Sequence, residues 1–165
     1  MSKSLIKLLN FRNIAIIILI AIFFVCDRLL KSLALQNQTS APIKLIGDWF
    51  FFNFKENYQM AFSLPWEGVS LLIVVTLVVF FIFYLIIKNI YQENRVAVST
   101  ISLTIILFGA ISNLIDRYLY GFVIDYLELK NFTVFNLADA MISSSALFYL
   151  IYTLTINEQR KKESY

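Results

Sequence analysis

The chain has 165 residues, of which 59% are hydrophobic and 15% charged, and its mean hydropathy is +0.74. Because soluble globular proteins carry about 25% charged residues, this composition excludes an ordinary soluble domain and predicts a polytopic membrane protein. With no histidine and one cysteine, Cys26, the sequence excludes an intrachain disulfide and histidine-dependent catalysis, and it argues against a zinc site.

The first apolar segment predicts a transmembrane helix over about residues 14–33. Residues 1–13 carry three basic residues and no acid, and the apolar run that follows is broken only by Asp27 and Arg28. The segment superficially resembles a signal peptide, but it is too long and has no small-x-small cleavage site after the apolar run. We therefore expect an uncleaved first helix.

The stretch between residues 36 and 68 is the most polar part of the first half and holds both prolines. Aromatic residues of the kind found in it are typical of short strands and of the membrane interface. They are Trp49, Phe50, Phe51, Phe52, Phe54, Tyr58 and Phe62. This stretch predicts a small extracytoplasmic β-rich segment, a sheet or a hairpin.

Three further apolar segments predict transmembrane helices over about residues 69–87, 96–115 and 140–156. The first of them contains no charge in 19 residues. The fold class expected is therefore an all-α membrane protein with four transmembrane helices and a small β-rich segment between helices 1 and 2. We expect residues 1–165 to form a single polytopic membrane domain.

The distribution of Lys and Arg predicts that both termini are cytoplasmic. With four helices, the N-terminus, the loop at residues 88–95 and the C-terminal tail share one side. That side holds eight basic and three acidic residues, a net charge of +5, whereas the remainder holds six basic and eight acidic residues, a net charge of −2. The overall charge of +3 therefore suits membrane orientation better than nucleic-acid binding.

Amide and ionisable side chains form three groups at the predicted outer level of the membrane. The groups are Asp27 and Lys31; Asn113, Asp116 and Arg117; and Asn136 and Asp139. Within each group the first residue lies three or four positions before the others, so their side chains share a helix face. Asp125 also interrupts a short apolar, strand-like run at residues 122–127. Because polar groups at membrane depth are costly, this conjunction predicts a catalytic site that faces the outer side.

Each group also has a structural interpretation: Asp27 and Lys31 as a local ion pair, Asp116 and Arg117 as markers of the membrane boundary, and Asn136 as an N-cap with Asp139 in the first turn. At the level of the whole protein, one alternative is a small proton- or cation-coupled transporter or channel subunit with three of the aspartates as a relay. Another is a scaffold protein whose acids anchor helix ends. Against transport, the acids cluster at one face and residues 69–87 carry no charge.

Five stretches, in this order along the chain, form a specific pattern: residues 27–31 (DRLLK), 57–63 (NYQMAFS), 113–117 (NLIDR), 121–126 (GFVIDY) and 135–139 (FNLAD). Together they resemble the lipoprotein signal peptidases of bacteria, or signal peptidase II, which are four-helix membrane aspartic proteases. Two positions depart from the family pattern, since Gln59 and Ser112 stand where the family usually has glycine. Ser112 is small enough that we still expect close helix packing, whereas a non-glycine residue such as Gln59 tolerates positive φ poorly.

The resemblance implies that the protein cleaves the signal peptide from a diacylglyceryl-modified prolipoprotein, just before the lipid-modified cysteine. The family's catalytic pair maps onto Asp125 and Asp139, two carboxylates that share one proton, with no metal and no cofactor. Spacing alone leaves Asp116 as a further candidate for the pair.

Other roles also follow from the resemblance. Asn57, Asn113 and Asn136 are expected to orient the substrate or the aspartates, Arg117 to pair with Asp116, and Asp27 with Lys31 to stabilise the outer end of helix 1. The expected partners are the prolipoprotein and membrane lipid, with no nucleic acid. The resemblance implies a monomeric, multi-pass enzyme of the bacterial cytoplasmic (inner) membrane, with its active site near the outer face.

Overall fold

The computed structural model describes residues 11–59, 68–92 and 98–163. Helices and strands occur along these residues in the following order: α1 (Phe11–Gln36), β1 (Ile43–Ile46), β2 (Phe50–Asn57), α2 (Gly68–Gln92), α3 (Val98–Tyr120), β3 (Val123–Leu129), β4 (Thr133–Phe135) and α4 (Leu137–Glu163). Parts of the predicted N-terminal basic segment, of the loop at residues 88–95 and of the residue 57–63 motif lie outside the described residues.

In the described part of the chain, four helices are long and apolar enough to cross a membrane, which confirms the prediction of four spans. The candidate spans are Asn13–Gln36, Gly68–Gln92, Val98–Tyr120 and Leu137–Thr155. In lipid a spanning segment must satisfy its backbone hydrogen bonds internally, and apolar runs of this length do so as helices. The third span was predicted to end near residue 115, but α3 continues to Tyr120, so Asp116 and Arg117 lie within the helix.

Gly121 ends α3 and turns the chain into β3. Its backbone has a φ of 83°, in the left-handed region that favours glycine, and its N–H donates to the carbonyl oxygen of Arg117 over 3.1 Å. Strand β3 begins two residues later, at Val123. This turn brings Asp125 back toward the end of the helix that carries Asp116.

The four strands form one antiparallel sheet in the order β1-β2-β3-β4. Strands β1 and β2 lie between α1 and α2, which confirms the predicted β-rich segment. The sheet is larger than predicted, because the connection between α3 and α4 supplies β3 and β4. The strand-like run around Asp125 is therefore the third strand of that sheet.

A β-bulge interrupts the pairing of β2 with β3. Phe52 pairs with Leu127, but the next pair is Lys55 with Asp125, so β2 contains one extra residue at this point. Because side chains alternate along a strand, the residues of β2 after the bulge that share the face of Asp125 are Lys55 and Asn57.

Close packing of α3 against α4 positions the start of α4. A Cβ atom added to Gly109 would lie 2.8 Å from the carbonyl oxygen of Ala138 and 2.8 Å from Cγ1 of Ile142. Small residues allow such an approach of two membrane helices. The C-terminal part of α1 packs on the sheet through the buried residues Ala34, Ile124 and Tyr126.

Candidate active site

Asp125 is a buried carboxylate held by two side-chain amides. Its side chain on β3 has both oxygens engaged: Oδ2 accepts a hydrogen bond from Nδ2 of Asn57 over 2.9 Å, and Oδ1 accepts one from Nδ2 of Asn136 over 2.7 Å. Burial, with a further contribution from the negative charge of Asp139, raises the pKa of Asp125 to about 7. Asp125 can therefore hold a proton near neutral pH.

Asp139 lies in the first turn of α4, as predicted. Its Oδ1 accepts a hydrogen bond from Nδ2 of Asn113 over 2.7 Å, and its Oδ2 accepts the backbone N–H of Asn136 over 3.4 Å. In return, Oδ1 of Asn136 accepts the backbone N–H of Asp139 over 2.8 Å. This reciprocal capping is why the helix begins at Leu137 instead of near residue 140.

The orientation of the two amides that bind Asp125 follows from their other partners. Oδ1 of Asn136 accepts the N–H of Asp139, and Oδ1 of Asn57 accepts the N–H of Gln59 over 3.1 Å. Because a backbone N–H can only donate, each amide must turn its NH₂ group toward Asp125. Both oxygens of Asp125 therefore face hydrogen-bond donors.

A buried ion cluster, which consists of Asp27, Arg28, Lys31 and Asp116, lies beside the two aspartates. Asp27, Lys31 and Asp116 are fully buried. Nζ of Lys31 lies 3.2 Å from Oδ2 of Asp27 and 2.8 Å from Oδ2 of Asp116, and Arg28 pairs with the other oxygen of Asp116. Two positive and two negative charges therefore balance within the cluster, which joins α1 to α3.

The predicted pairing of Arg117 with Asp116 is wrong. Asp116 pairs with Arg28 and Lys31, and its Oδ2 also accepts the N–H of Ile124 over 3.2 Å. Successive residues point about 100° apart around a helix, so the neighbour of a side chain that faces α1 points elsewhere. Arg117 instead donates from Nη2 to the carbonyl oxygen of Gln59 over 3.1 Å. Asp116 is thus an interior anchor and not a boundary marker.

The predicted pair of Asp27 and Lys31 is present, but Asp27 does more than neutralise the lysine. Its Oδ1 accepts hydrogen bonds from the hydroxyl of Tyr126 over 3.0 Å and from the N–H of Ala138 over 3.1 Å. The hydroxyl of Tyr126 in turn accepts the N–H of Leu137 over 3.1 Å. Asp27 therefore connects the first helix with β3 and with the start of α4.

Sequence reasoning missed Tyr126 and Arg28 as members of the site. Tyr126 is fully buried, and burial together with the nearby Asp27 carboxylate raises the pKa of its hydroxyl, which therefore remains a donor. The signal was present in both cases. A tyrosine hydroxyl in an apolar strand needs a partner, and an arginine beside Asp27 within an apolar helix needs an acid.

The two departures from the family pattern fit the structure. Ser112 is fully buried, and its Oγ donates to Oδ2 of Asp27 over 2.5 Å, so close packing is kept and a hydrogen bond is added. Among the described residues, Asn131 is the non-glycine with a positive φ, so Gln59 does not take up the strained conformation. The same residues contain no group of three or more acids or cysteines placed to hold a metal ion.

Comparison with known proteins identifies the family. The family model described as Signal peptidase (SPase) II matches residues 19–155. The chain belongs to the signal peptidase II family. Among its relatives, the lipoprotein signal peptidase of Halothermothrix orenii is 34% identical over 136 residues, which cover 82% of this chain and 92% of the relative. That of Clostridium tetani is 32% identical over 146 residues, which cover 84% and 91%.

Solved structures support the fold of this signal peptidase II. A bacterial membrane enzyme determined by the in meso method at 2.3 Å resolution superposes with a TM-score of 0.72 at 16% identity, over 88% of this chain and 90% of that one. A second, at 1.9 Å resolution, has a TM-score of 0.69 at 17% identity, over 85% and 92%. At this identity the likeness concerns the fold alone.

Membership of the signal peptidase II family makes the chain a multi-pass membrane peptidase, and it sets aside the transporter and scaffold alternatives. All five motif stretches lie within the matched residues 19–155. The roles of the individual site residues stay predictions.

Proposed function

We propose that this signal peptidase II removes the signal peptide from a diacylglyceryl-modified prolipoprotein by aspartic catalysis, with Asp125 and Asp139 as the catalytic pair, and cuts just before the lipid-modified cysteine. The observation that carries this proposal is the link through Asn136. Its NH₂ group binds Oδ1 of Asp125, while its backbone N–H and Oδ1 bind Asp139. One residue thus contacts both aspartates and fixes their relative position, as a proton-sharing pair requires.

Within the pair, Asp139 is the ionised base and Asp125 the protonated acid. Asp139 lies at the N-terminus of α4, where the helix dipole favours a negative charge, and it accepts N–H groups at both oxygens. The pKa of Asp125 is raised to about 7 by burial and by that neighbouring charge. The two residues titrate jointly, with one proton between them at neutral pH.

The reaction then proceeds by general acid–base catalysis. Asp139 takes a proton from a water molecule as the water oxygen bonds to the scissile carbonyl carbon, and Asp125 gives its proton to the carbonyl oxygen. The tetrahedral intermediate collapses when the C–N bond breaks. The leaving nitrogen takes the proton from Asp139, and Asp125 recovers a proton from a hydroxyl of the intermediate, which restores the pair.

The surroundings of the pair suit a substrate that stays in the membrane. The pair lies where α3 and α4 meet the sheet, and exposed apolar side chains cover the spanning helices, including Leu77 and Phe80 of α2. A signal helix and acyl chains can approach laterally through lipid across such surfaces. In the proposed arrangement the enzyme is a monomer of the bacterial cytoplasmic membrane, with both termini cytoplasmic and the pair near the outer face.

Substitution of the two aspartates tests the proposal. Asp125→Asn, Asp139→Asn and the double variant are purified, checked for folding by size-exclusion chromatography, and assayed on one lipidated prolipoprotein peptide. We expect each single variant to lose at least about 1,000-fold in kcat, and the double variant to lose little more, because residues that act as one unit are not additive.

Glu128→Gln is the matched control, because Glu128 is another acid of β3 bonded to an asparagine, with Nδ2 of Asn53 donating to its Oε2 over 2.7 Å. We expect this variant to keep full activity. If Asp125→Asn retains most of its rate while well-folded Asp116→Asn is inactive, the pair is wrongly assigned and Asp116 takes the place of Asp125.

A further inference from the structure

Lys31 makes its shortest contact with an uncharged group. Its Nζ lies 2.7 Å from Oδ1 of Asn113, compared with 2.8 Å to Asp116 and 3.2 Å to Asp27. The side chain is fully buried, and it reaches Asn113 across the interface between α1 and α3. Asp27 and Asp116 neutralise the charge of Lys31 within the ion cluster, so charge balance does not require the contact with Asn113.

The contact decides how the amide of Asn113 is oriented. A lysine ammonium has hydrogen-bond donors and no acceptor, so the group of Asn113 that faces Lys31 must be the carbonyl oxygen. The NH₂ group then faces the opposite way, where Nδ2 lies 2.7 Å from Oδ1 of Asp139. The chain of contacts therefore has one direction, from Lys31 through Asn113 to Asp139.

We propose that Lys31 is a positioning residue that locks the Asn113 amide with its N–H toward Asp139 and thereby keeps Asp139 a hydrogen-bond acceptor. This inference rests on the proposed role of Asp139 as the base. Without the lysine the amide is free to rotate and to present its carbonyl oxygen to Asp139. The two oxygens can then form a hydrogen bond only when Asp139 carries a proton, and a protonated Asp139 cannot act as the base of the catalytic pair.

The rest of the buried ion cluster has a role in this arrangement. A buried lysine must be paired, and Asp27 and Asp116 supply two carboxylates for it, while Arg28 balances the second acid. The ammonium is thus held at one place by both α1 and α3. The charged groups that interact with Asp139 include Lys31 and Asp27 from α1, Arg117 from α3 and Asp125 from β3.

The first test removes the lysine without leaving an unbalanced charge. The variant Asp27→Asn/Lys31→Met keeps the cluster neutral, and the asparagine can still accept from Tyr126 through Oδ1. Its kcat per folded enzyme is compared with that of Asp27→Asn, which retains the lysine. We expect kcat to fall about 10- to 100-fold from that reference, with KM within about twofold, because the reacting group is mispositioned while binding is kept.

The matched control is Lys44→Met/Asp48→Asn. These residues also form a Lys–Asp pair four residues apart, but the pair is exposed and lies in the hairpin of β1 and β2. We expect this variant to have the kcat, KM and pH profile of the unaltered enzyme. A structural role of Lys31 alone would reduce the amount of folded protein and leave kcat per folded enzyme equal to that of Asp27→Asn.

The second test leaves the ion cluster intact. In Asn113→Asp one carboxylate oxygen accepts from Lys31, but the other faces Asp139 and can donate only when it is protonated. We expect kcat at neutral pH to fall at least about tenfold, and the pH optimum to move to lower pH, where the introduced carboxyl regains a proton. This variant decides the question if Asp27→Asn/Lys31→Met does not fold.

Two results would overturn the inference: kcat equal to the reference in the lysine variant, or unchanged kcat and pH optimum in Asn113→Asp. Asp139→Asn is assayed alongside them. If Asp139→Asn is active, the proposed catalytic pair fails. If it is inactive while both test variants are fully active, the pair stands and the role of Lys31 alone is refuted.

Discussion

Asn136 donates a side-chain N–H to Oδ1 of Asp125 over 2.7 Å from the position immediately before α4. The same side chain caps the helix whose first turn carries Asp139. A displacement of either the helix start or strand β3 would therefore break one of these contacts. The separation of the two carboxylates follows from a single residue that is itself fully buried.

The pH dependence of cleavage should reflect the proton on Asp125. Burial and the charge of Asp139 raise its pKa to about 7, so the carboxyl holds its proton below that pH and loses it above. Since the proposed mechanism needs this proton, kcat/KM should fall about tenfold per pH unit on the alkaline side. The measurement is kcat/KM between pH 5 and pH 9 on one substrate, and a rate still rising through pH 9 contradicts the assigned acid.

Asp116→Asn should destabilise the protein more than it slows the chemistry of the folded fraction. The substitution leaves Lys31 and Arg28 with one buried carboxylate between them, and removing one partner of a buried pair costs about 3–5 kcal/mol. The thermal midpoint in detergent and the yield of monodisperse protein measure the effect.

Asp48→Asn is the control for Asp116→Asn, because Asp48 also pairs with a lysine but is exposed. An exposed pair contributes about 0–1 kcal/mol, so this variant should melt close to the unaltered protein. Equal losses of stability in the two variants would show that burial of the Asp116 pair is unimportant.

Gly109→Ala should displace the start of α4. The added Cβ would lie 2.8 Å from the carbonyl oxygen of Ala138, a backbone atom that cannot rotate away. Overpacking of this kind costs about 1–3 kcal/mol, and because Ala138 precedes Asp139, kcat should fall together with the thermal midpoint. The neighbouring Ala110→Ser adds one heavy atom at a half-buried position and should leave both unchanged.

Cleavage should survive strong chelators. The sequence has no histidine, and its lone cysteine, Cys26, stands next to Asp27 within α1. The experiment is an activity assay after dialysis against EDTA and again after each of several divalent ions is returned. Activity that disappears in chelator and returns with one ion would refute catalysis by the carboxylates alone.

The orientation predicted from charge can be tested by reporter fusions. A net charge of +5 on one side against −2 for the remainder favours cytoplasmic termini. A fusion after Lys88 should report the cytoplasm, and one after Lys130, between β3 and β4, should report the exterior. Reversed signals, or equal signals at both points, would contradict the topology.

Local patterns predicted those parts of the protein that depend on nearby residues. The length of the apolar segments was sufficient to predict four spans, and the spacing of Asn136 and Asp139 was sufficient to predict a capped helix start. Both features depend only on residues close together in the sequence. The assignment of the whole chain to a single domain stays a prediction, as do the catalytic roles.

Partners far apart in sequence could not be predicted in the same way. Arg28 and Asp116 are separated by 88 positions, and Asp27 and Tyr126 by 99. Several acids and bases were available to each of them, and local spacing favoured Arg117 for Asp116. The choice depends on how α1, α3 and β3 pack together, since side-chain direction around a helix decides which charges meet.

The side chains of β2 alternate between the two faces of the sheet, and the β-bulge shifts this alternation by one residue. Before it, aromatic residues such as Phe52 pack in the sheet, and after it Asn57 meets Asp125. Deleting one of the two residues between Phe52 and Lys55 would leave a single residue of β2 opposite Tyr126, so the bulge would disappear and Lys55 would still pair with Asp125. Inserting one residue between Lys55 and Asn57 would instead move Asn57 to the other face of the sheet and take an amide donor away from Asp125. For this enzyme a change in the length of β2 is therefore absorbed at the bulge, whereas the same change two residues further along would reach the catalytic pair.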